Sequence, residues 1–337
     1  MYIRAATLDD LLYRVFKSLL STKGRKITST RGANYERSGV LLTLTDPRAR
    51  VSRSGRRSQL FSSLGELAWY LKGSKSLNFI EYYVPLYRGE SPDAKTIPAA
   101  YGPRLFNFRG YNQVQNAIDL LKERQNSRRA VIQLFDASDI PSNYVPCTCT
   151  LQFLVRQKRL QLIVHMRSND AYFGLPHDVF AFTMLQELVA RDLGVEPGEY
   201  KHLVGSLHLY QNQVDGAQTY VDDGLQQSLS MPAMPMGSQW SAVKDVLHFE
   251  SRIRRKKNVD LESLNLDPYW LDIVRLFRIF RFSKTGDRRG LERHLAKMHS
   301  NFFGQYIEYR MMHLDAQREI PSQQMLFNDQ SSQIGER

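Results

Sequence analysis

The sequence predicts a mixed fold of helices and strands. Three observations carry that prediction: apolar residues recur at helical spacing over residues 8 to 20, two strand-like runs flank the short turn Gln157-Lys158-Arg159, and a helical apolar face follows Asp178. At 337 residues, 42% apolar and 11% aromatic, the chain can bury a large core as one large domain or two modest ones.

Taken in order, Leu8 to Leu20 predicts an amphipathic helix. A polar, Arg-rich loop follows, then a strand over Gly39 to Thr45 and a helix over Ser62 to Lys72 closed by Gly73. Arg129 to Phe135 reads as a strand, and Thr150 to Arg156 with Leu160 to Met166 reads as a hairpin with Cys147 just before it. The helix after Asp178 places Val179, Phe182, Leu185, Leu188 and Val189 on one face and stops at Gly194. Ser228 to Gly237, rich in Met and Pro, reads as an extended connection. Two further helices are expected around Asp267 to Phe282 and Arg289 to Met311, parted by a polar turn with Gly286 and Asp287. The Gln-, Ser- and Asn-rich residues 316–337 read as a flexible tail, and no internal repeat is present.

A formal charge of +12 favours anionic partners: nucleic acid, anionic lipid, or small phosphorylated and polycarboxylated molecules. The run Arg252, Arg254, Arg255, Lys256 and Lys257 motivates a nucleic-acid-binding reading, against which stands its plainer role as a solvated face. No apolar run approaches the roughly 20 residues of a membrane span, and the first residues lack the apolar core of a signal peptide, so a cytoplasmic, membrane-free protein is expected. Cys147 and Cys149 are the only cysteines, too few for a disulfide framework or a complete zinc site, and no metal is expected.

Chemistry concentrates around Cys147. It follows Pro146, and a return hairpin can carry Arg167 back beside it, where a guanidinium favours the thiolate. Alone, such a cysteine is equally a small buried hydrophobe. Glu66 lies in the apolar stretch Leu64 to Leu71, where burial would raise its pKa towards a useful value; otherwise it is a helix glutamate facing solvent. Asp178 directly precedes a helical pattern and is open to a capping role.

In order along the chain stand Glu36-Arg37-Ser38-Gly39, Gly65-Glu66-Leu67-Ala68-Trp69, Ala100-Tyr101-Gly102, Ser127-Arg128-Arg129, Pro146-Cys147, Arg167-Ser168-Asn169-Asp170, Gly174-Leu175-Pro176 and Gly205-Ser206-Leu207-His208-Leu209-Tyr210. Together these fragments, over about residues 8 to 235, resemble the thymidylate synthases. The resemblance implies an α+β fold with a large mixed sheet flanked by helices, a catalytic region over residues 1–235, a divergent helical part of the same domain over 236–315, and a sheet-to-sheet homodimer. It implies that Cys147 adds to C6 of a pyrimidine so that C5 can attack the one-carbon unit of 5,10-methylenetetrahydrofolate. Arg37, Arg167 and Ser168 would hold the nucleotide phosphate, joined by Arg128 and Arg129 from the other subunit. Taken singly, each of these arginines is equally a surface charge. Glu66 would handle protons through water, Tyr101 would shape that network, and Glu66, Asp170 and Gly174 would lie on the folate side. His208 and Tyr210 would bind the sugar, with core packing of a strand as the alternative.

Two departures from the resemblance matter most. Asp178 stands where uracil-using members carry asparagine. An amide serves the N3–H and O4 of uracil, whereas a carboxylate has no donor for O4 but accepts from the 4-amino group of cytosine and from a proton held at N3. The segment Tyr82-Tyr83-Val84-Pro85-Leu86-Tyr87-Arg88 occupies the place of tryptophans that help exclude water during hydride transfer, and the C-terminal closing tail has no counterpart. The pattern is therefore similar to the (deoxy)cytidylate hydroxymethylases of the same superfamily, with C5-methylation of dCMP or dUMP as the rival outcome. Thr148, Met166, His177 and Ser206 are further departures, and ribose and deoxyribose both remain open.

Overall fold

A computed structural model describes residues 1–21, 25–29, 32–53, 59–227 and 229–319. Seven strands form one mixed sheet: β1 (Tyr2–Ala5), β2 (Arg25–Ser29), β3 (Gly32–Leu44), β4 (Val131–Gln133), β5 (Thr148–Arg156), β6 (Arg159–Asp170) and β7 (Glu196–Tyr210). Their order is β1-β3-β7-β6-β5-β4, with β2 paired to β3. The β1–β3 and β6–β7 pairs are parallel and the rest antiparallel. The expected hairpin is present, its turn made by Gln157 and Lys158, both at positive φ. Part of the Arg-rich loop is instead strand β2, which has no apolar alternation to betray it and whose backbone is satisfied by pairing with β3.

Helices flank the sheet or pack on those that do: α1 (Leu8–Leu20), α2 (Leu60–Leu71), α3 (Leu77–Tyr83), α4 (Tyr101–Phe106), α5 (Gln113–Glu123), α6 (Gly174–Asp192), α7 (Val214–Asp222), α8 (Trp240–Arg254), α9 (Pro268–Thr285), α10 (Arg288–Leu295) and α11 (Gly304–Glu319). Helix α1 matches the sequence expectation and is capped by Thr7, whose side chain accepts from Asp10 N at 3.1 Å. Helix α6 starts four residues earlier than its pattern suggests. Pro176 reads as a loop residue, yet it lies in the first turn, where no intrahelical N–H is needed. Asp178 is therefore inside α6 and caps nothing. Nearly every side of α6 is buried, so it runs through the core.

The helix expected over Arg289 to Met311 is two, α10 and α11. Buried Asp272 explains the break: its carboxylate accepts the His299 N–H at 3.0 Å and the Ser300 N–H at 2.9 Å, taking those groups out of a helical ladder. Helix α11 extends through Glu319, and the rest of the expected tail, 320–337, lies outside the described residues.

The C-terminal helices pack on the helices that carry Glu66 and Asp178. Leu64 and Leu67 of α2 and Met184 and Leu188 of α6 share one apolar lining with Val243, from α8, and Trp270, from α9. Tyr83 joins these layers. Its ring stacks on Phe280 at 5.1 Å, and its hydroxyl donates to Glu250 Oε1 at 2.7 Å. The same ring occupies the space a side chain at Gly65 would need, since a Cβ there would lie 2.0 Å from Tyr83 Cγ. About two and a half turns beyond Asp178 on α6, the Arg50–Glu187 pair is fully buried, and Glu187 Oε1 also accepts the Met234 N–H at 2.9 Å, which fastens the Met- and Pro-rich connection to α6.

Gly65→Ala should destabilise the protein by about 1 to 3 kcal/mol, because neither α2 nor the stacked Tyr83 ring can yield freely. Urea denaturation checks this; an unchanged midpoint would mean that α3 moves away without cost.

Candidate active site

Cys147 lies at the entry to β5, and the next strand returns Arg167 to it. Arg167 Nη2 is 3.8 Å from Cys147 Sγ, while the same guanidinium donates to Pro146 O at 3.0 Å and to Val145 O at 2.8 Å. Its backbone N–H donates to Cys147 O at 2.9 Å. One arginine thus fixes the loop that carries the thiol and places a cation beside it. Burial pushes the neighbouring Cys149 thiol up, which disfavours it as a nucleophile.

Tyr101 accepts the Thr148 N–H at 3.0 Å, so it holds the peptide immediately after Cys147. Burial, first, and then the charges of Cys147 and Asp178 raise its pKa well above the ordinary phenol value. Tyr101 therefore lies within electrostatic reach of both Cys147 and Asp178. Among the described residues, the Thr148 hydroxyl oxygen is buried without a hydrogen-bond partner.

Glu66 reaches this pocket from α2. It accepts from Tyr70 O–H at 2.9 Å and from Tyr87 O–H, and its Oε2 lies 2.5 Å from His177 Nδ1. His177 Nε2 in turn lies 3.0 Å from Ser62 Oγ. Burial is the largest single influence on Glu66 and pushes its pKa up, as the sequence suggests. Attraction to His177 and the three hydrogen bonds together outweigh burial, so the net direction is down and the expected rise is reversed. The carboxylate is held ionised.

Asp178 goes the other way. It is 8% exposed, and burial, the charge of Glu66 and the charge of Asp170 raise its pKa well above the usual carboxylate range against the opposing Asn169 hydrogen bond. Its Oδ2 accepts from Asn169 Nδ2 at 2.8 Å. Two neighbouring carboxyl groups are thus pushed in opposite directions, Glu66 down and Asp178 up.

Strand register assembles the rest. Ser168 pairs with Ser206, and Asp170 pairs with His208. His208 and Tyr210 are half-buried, pack edge to face at 5.0 Å, and alternate with the buried Leu207 and Leu209, so they are not core residues of β7. Asp170 accepts from Tyr172 N at 2.8 Å and from Gln213 Nε2 at 3.3 Å. Gly174 abuts Asn169 and Asp178, where a Cβ would lie 3.0 Å from Asn169 Nδ2.

Three arginines are not gathered onto Cys147 within the chain. Arg37 donates to Ser18 O at 3.0 Å and Ser21 Oγ at 3.2 Å at the end of α1. Arg128 and Arg129 are exposed before β4, and Arg129 lines an open cavity of about 310 Å³ with Phe108, Arg109 and Tyr111. In the basic run, Arg254 pairs with Glu250 at 2.7 Å and lies 4.1 Å from the Phe79 ring centroid, while Arg252 donates to Asn258 O at 3.0 Å.

Sequence reasoning gave no role to Tyr70, Tyr87, Asn169, His177 or His202. Tyr70 was signalled by its i,i+4 spacing from Glu66. His177 was signalled by its place beside Asp178. Asn169 stands inside the Arg167-Ser168-Asn169-Asp170 motif, whereas Tyr87 and His202 come from distant segments that only the fold brings together.

Among the described residues no group of His, Cys, Asp and Glu could hold a metal, and no helix is long and apolar enough to cross a membrane. Residues 51–252 match the family model described as thymidylate synthase. That span contains Glu66, Tyr101, Cys147, Arg167, Asp178, His208 and Tyr210, together with the sheet strands that place most of them. The chain therefore belongs to the thymidylate synthase family, whose chemistry is folate-dependent one-carbon transfer to a pyrimidine nucleotide.

Proposed function

We propose that this protein is a 5-hydroxymethyltransferase acting on CMP or dCMP with 5,10-methylenetetrahydrofolate as co-substrate. An aspartate at position 178, buried beside Glu66 and pushed towards its protonated form while Glu66 is pushed the other way, carries the reading. A neutral Asp178 carboxyl donates its proton to cytosine N3 and accepts from the 4-amino group. Uracil presents N3–H and O4 at the same places, so it meets a donor with a donor. Sharing that proton with N3 draws electrons from the ring as the Cys147 thiolate adds to C6.

Bound folate supplies the one-carbon unit at the oxidation level of formaldehyde. The chain's residues do the rest. Arg167, with Ser168, holds the phosphate near Cys147; Tyr101 keeps the Cys147–Thr148 peptide in place; His208 and Tyr210 face the sugar. Asp170 and Gly174 are assigned to the folate side of the pocket. After C5 has taken the carbon, it loses its proton as tetrahydrofolate leaves with the electron pair of the carbon–nitrogen bond; water then adds to the exocyclic methylene, Glu66 accepts the water's proton, and Cys147 leaves C6 with its electron pair. The balance is one cytidylate, one methylenetetrahydrofolate and one water giving hydroxymethylcytidylate and tetrahydrofolate. Tyr87 supports water capture because it puts a hydroxyl on Glu66 at the place of an indole.

The reading includes a homodimer. The outer face of β5–β7 leaves His165 and Leu203 exposed, with Leu154 and Ile163 half-buried, and Arg128 and Arg129 lie exposed near its edge. A second copy against this face would bury the apolar residues and could bring both arginines to the partner's phosphate.

The decisive experiment incubates the protein with methylenetetrahydrofolate and an equal mixture of CMP, dCMP, UMP and dUMP, with products identified by mass spectrometry. Hydroxymethylated cytidylate is expected, and Asp178→Asn should move preference towards uridylate by at least about tenfold. A methylated uridylate from the unmodified enzyme would instead establish hydride transfer and a different reader of the base. Cys147→Ser should lower kcat by more than about a thousandfold while nucleotide affinity stays within about threefold; an active variant would sink covalent catalysis. His177→Phe removes a group that holds the Glu66 pKa down, so the acidic limb of the kcat profile should move to higher pH; a stationary limb would show that Glu66 is not the titrating base.

A further inference from the structure

Beneath Asp178 runs a chain of buried polar groups that the mechanism above leaves without a role. Tyr200 Oη lies 2.7 Å from His202 Nδ1, His202 Nε2 lies 3.0 Å from Asn169 Oδ1, and Asn169 Nδ2–H donates to Asp178 Oδ2 at 2.8 Å. Tyr200 and His202 are 1% exposed and Asn169 is 4% exposed, so water does not compete for these bonds. Burial pushes the His202 imidazole down to about 3, which leaves it neutral with a single ring proton.

With the Asn169 amino group on Asp178, the Asn169 carbonyl faces His202 Nε2, so that nitrogen carries the single ring proton and Nδ1 accepts from the Tyr200 hydroxyl. Turning the amide over would set N–H against N–H on one side and remove the donor from Asp178 on the other. Gly174 closes the remaining space, since a Cβ there would approach Asn169 Nδ2 to 3.0 Å and Asp178 Oδ2 to 3.8 Å.

The geometry points to His202 as a positioning residue for base recognition, which fixes through Asn169 which oxygen of Asp178 carries the acid proton. Oδ2 already accepts from Asn169 and so keeps carbonyl character. Oδ1 carries the proton. The carboxyl group then offers a donor at Oδ1 for pyrimidine N3 and an acceptor at Oδ2 for the 4-amino group, an order that cytosine satisfies and uracil does not. The assignment rests on the cytidylate reading for the identity of the base, but not for the coupling between residues 202 and 178.

A double-mutant cycle tests it. CMP and UMP affinities and kcat/KM are measured for the unmodified enzyme, His202→Phe, Asp178→Asn and the double variant, with His202→Gln as the conservative replacement that retains an N–H for Asn169. The expected result is an about tenfold loss of CMP affinity in His202→Phe with a smaller change in kcat, a narrowed CMP-to-UMP ratio, and recovery of most of both in His202→Gln. In the Asp178→Asn background, His202→Phe should change the ratio by less than about twofold. Equal effects with and without Asp178, or an unchanged ratio in His202→Phe, would overturn the assignment. Should the phenylalanine variant fail to fold, Asn169→Ala breaks the same chain one link later and is read in the same cycle. An unmodified enzyme that prefers UMP would sink the cytidylate reading alone; the cycle, read in UMP affinity, still decides whether residues 202 and 178 are coupled.

Discussion

Two carboxyl groups buried within electrostatic reach of each other cannot both be ionised cheaply, and the arrangement around Glu66 and Asp178 follows from that constraint. Each ionised carboxylate raises the cost of ionising the other. The fold resolves the conflict by giving the partners unequally. Glu66 receives two phenol donors and an imidazole, whereas Asp178 receives one neutral amide. Glu66 is therefore pushed towards its ionised form and Asp178 towards its protonated form. Because the two residues stand on different helices, α2 and α6, the spacing that sustains this division depends on how those helices are packed.

That packing gives the C-terminal third a physical role. Helices α8 and α9 contribute Val243 and Trp270 to the apolar seam between α2 and α6, and Phe280 and Glu250 hold Tyr83 against the bare backbone at Gly65. A slip of α2 along this seam would carry Glu66 away from His177 while Tyr70, on the same helix, moved with it. The C-terminal helices thus act on the site without touching it, through the relative position of two carboxyl-bearing helices.

How much of this was legible in the sequence varies with the range of the interactions. Helix α1 and the hairpin of β5 and β6 rest on local periodicity and a short turn, and both were readable. The start of α6 was not, because Pro176 counts as a breaker by composition and as a neutral residue in a first turn. The break between α10 and α11 was not, because its cause is Asp272 on another helix. At the site, Cys147 beside Arg167 followed from strand return. The direction of the Glu66 pKa was misread for a definite reason: the sequence displayed the apolar neighbours that raise it but not Tyr87 and His177, which come from separate segments and lower it. Asp178 is proposed as the base reader from its residue type, yet the upward shift of its pKa comes from burial and from Glu66, which only the fold supplies.

The same division of charge bears on the fate of the one-carbon intermediate. Hydride transfer requires a pocket from which water is excluded, and a buried carboxylate surrounded only by apolar rings would suit it by being costly to hydrate. Glu66 is instead tied to two phenols and an imidazole, each able to pass a proton through a hydrogen bond. Its ionisation makes it a proton acceptor before any water arrives, and the His177–Ser62 contact extends the chain towards the start of α2. On the proposed reading, the ionised base offers an incoming water a place for its proton at the step where a drier site would direct the reaction to hydride. The acid at Asp178 then selects the pyrimidine, and the base at Glu66 selects what is added to its methylene.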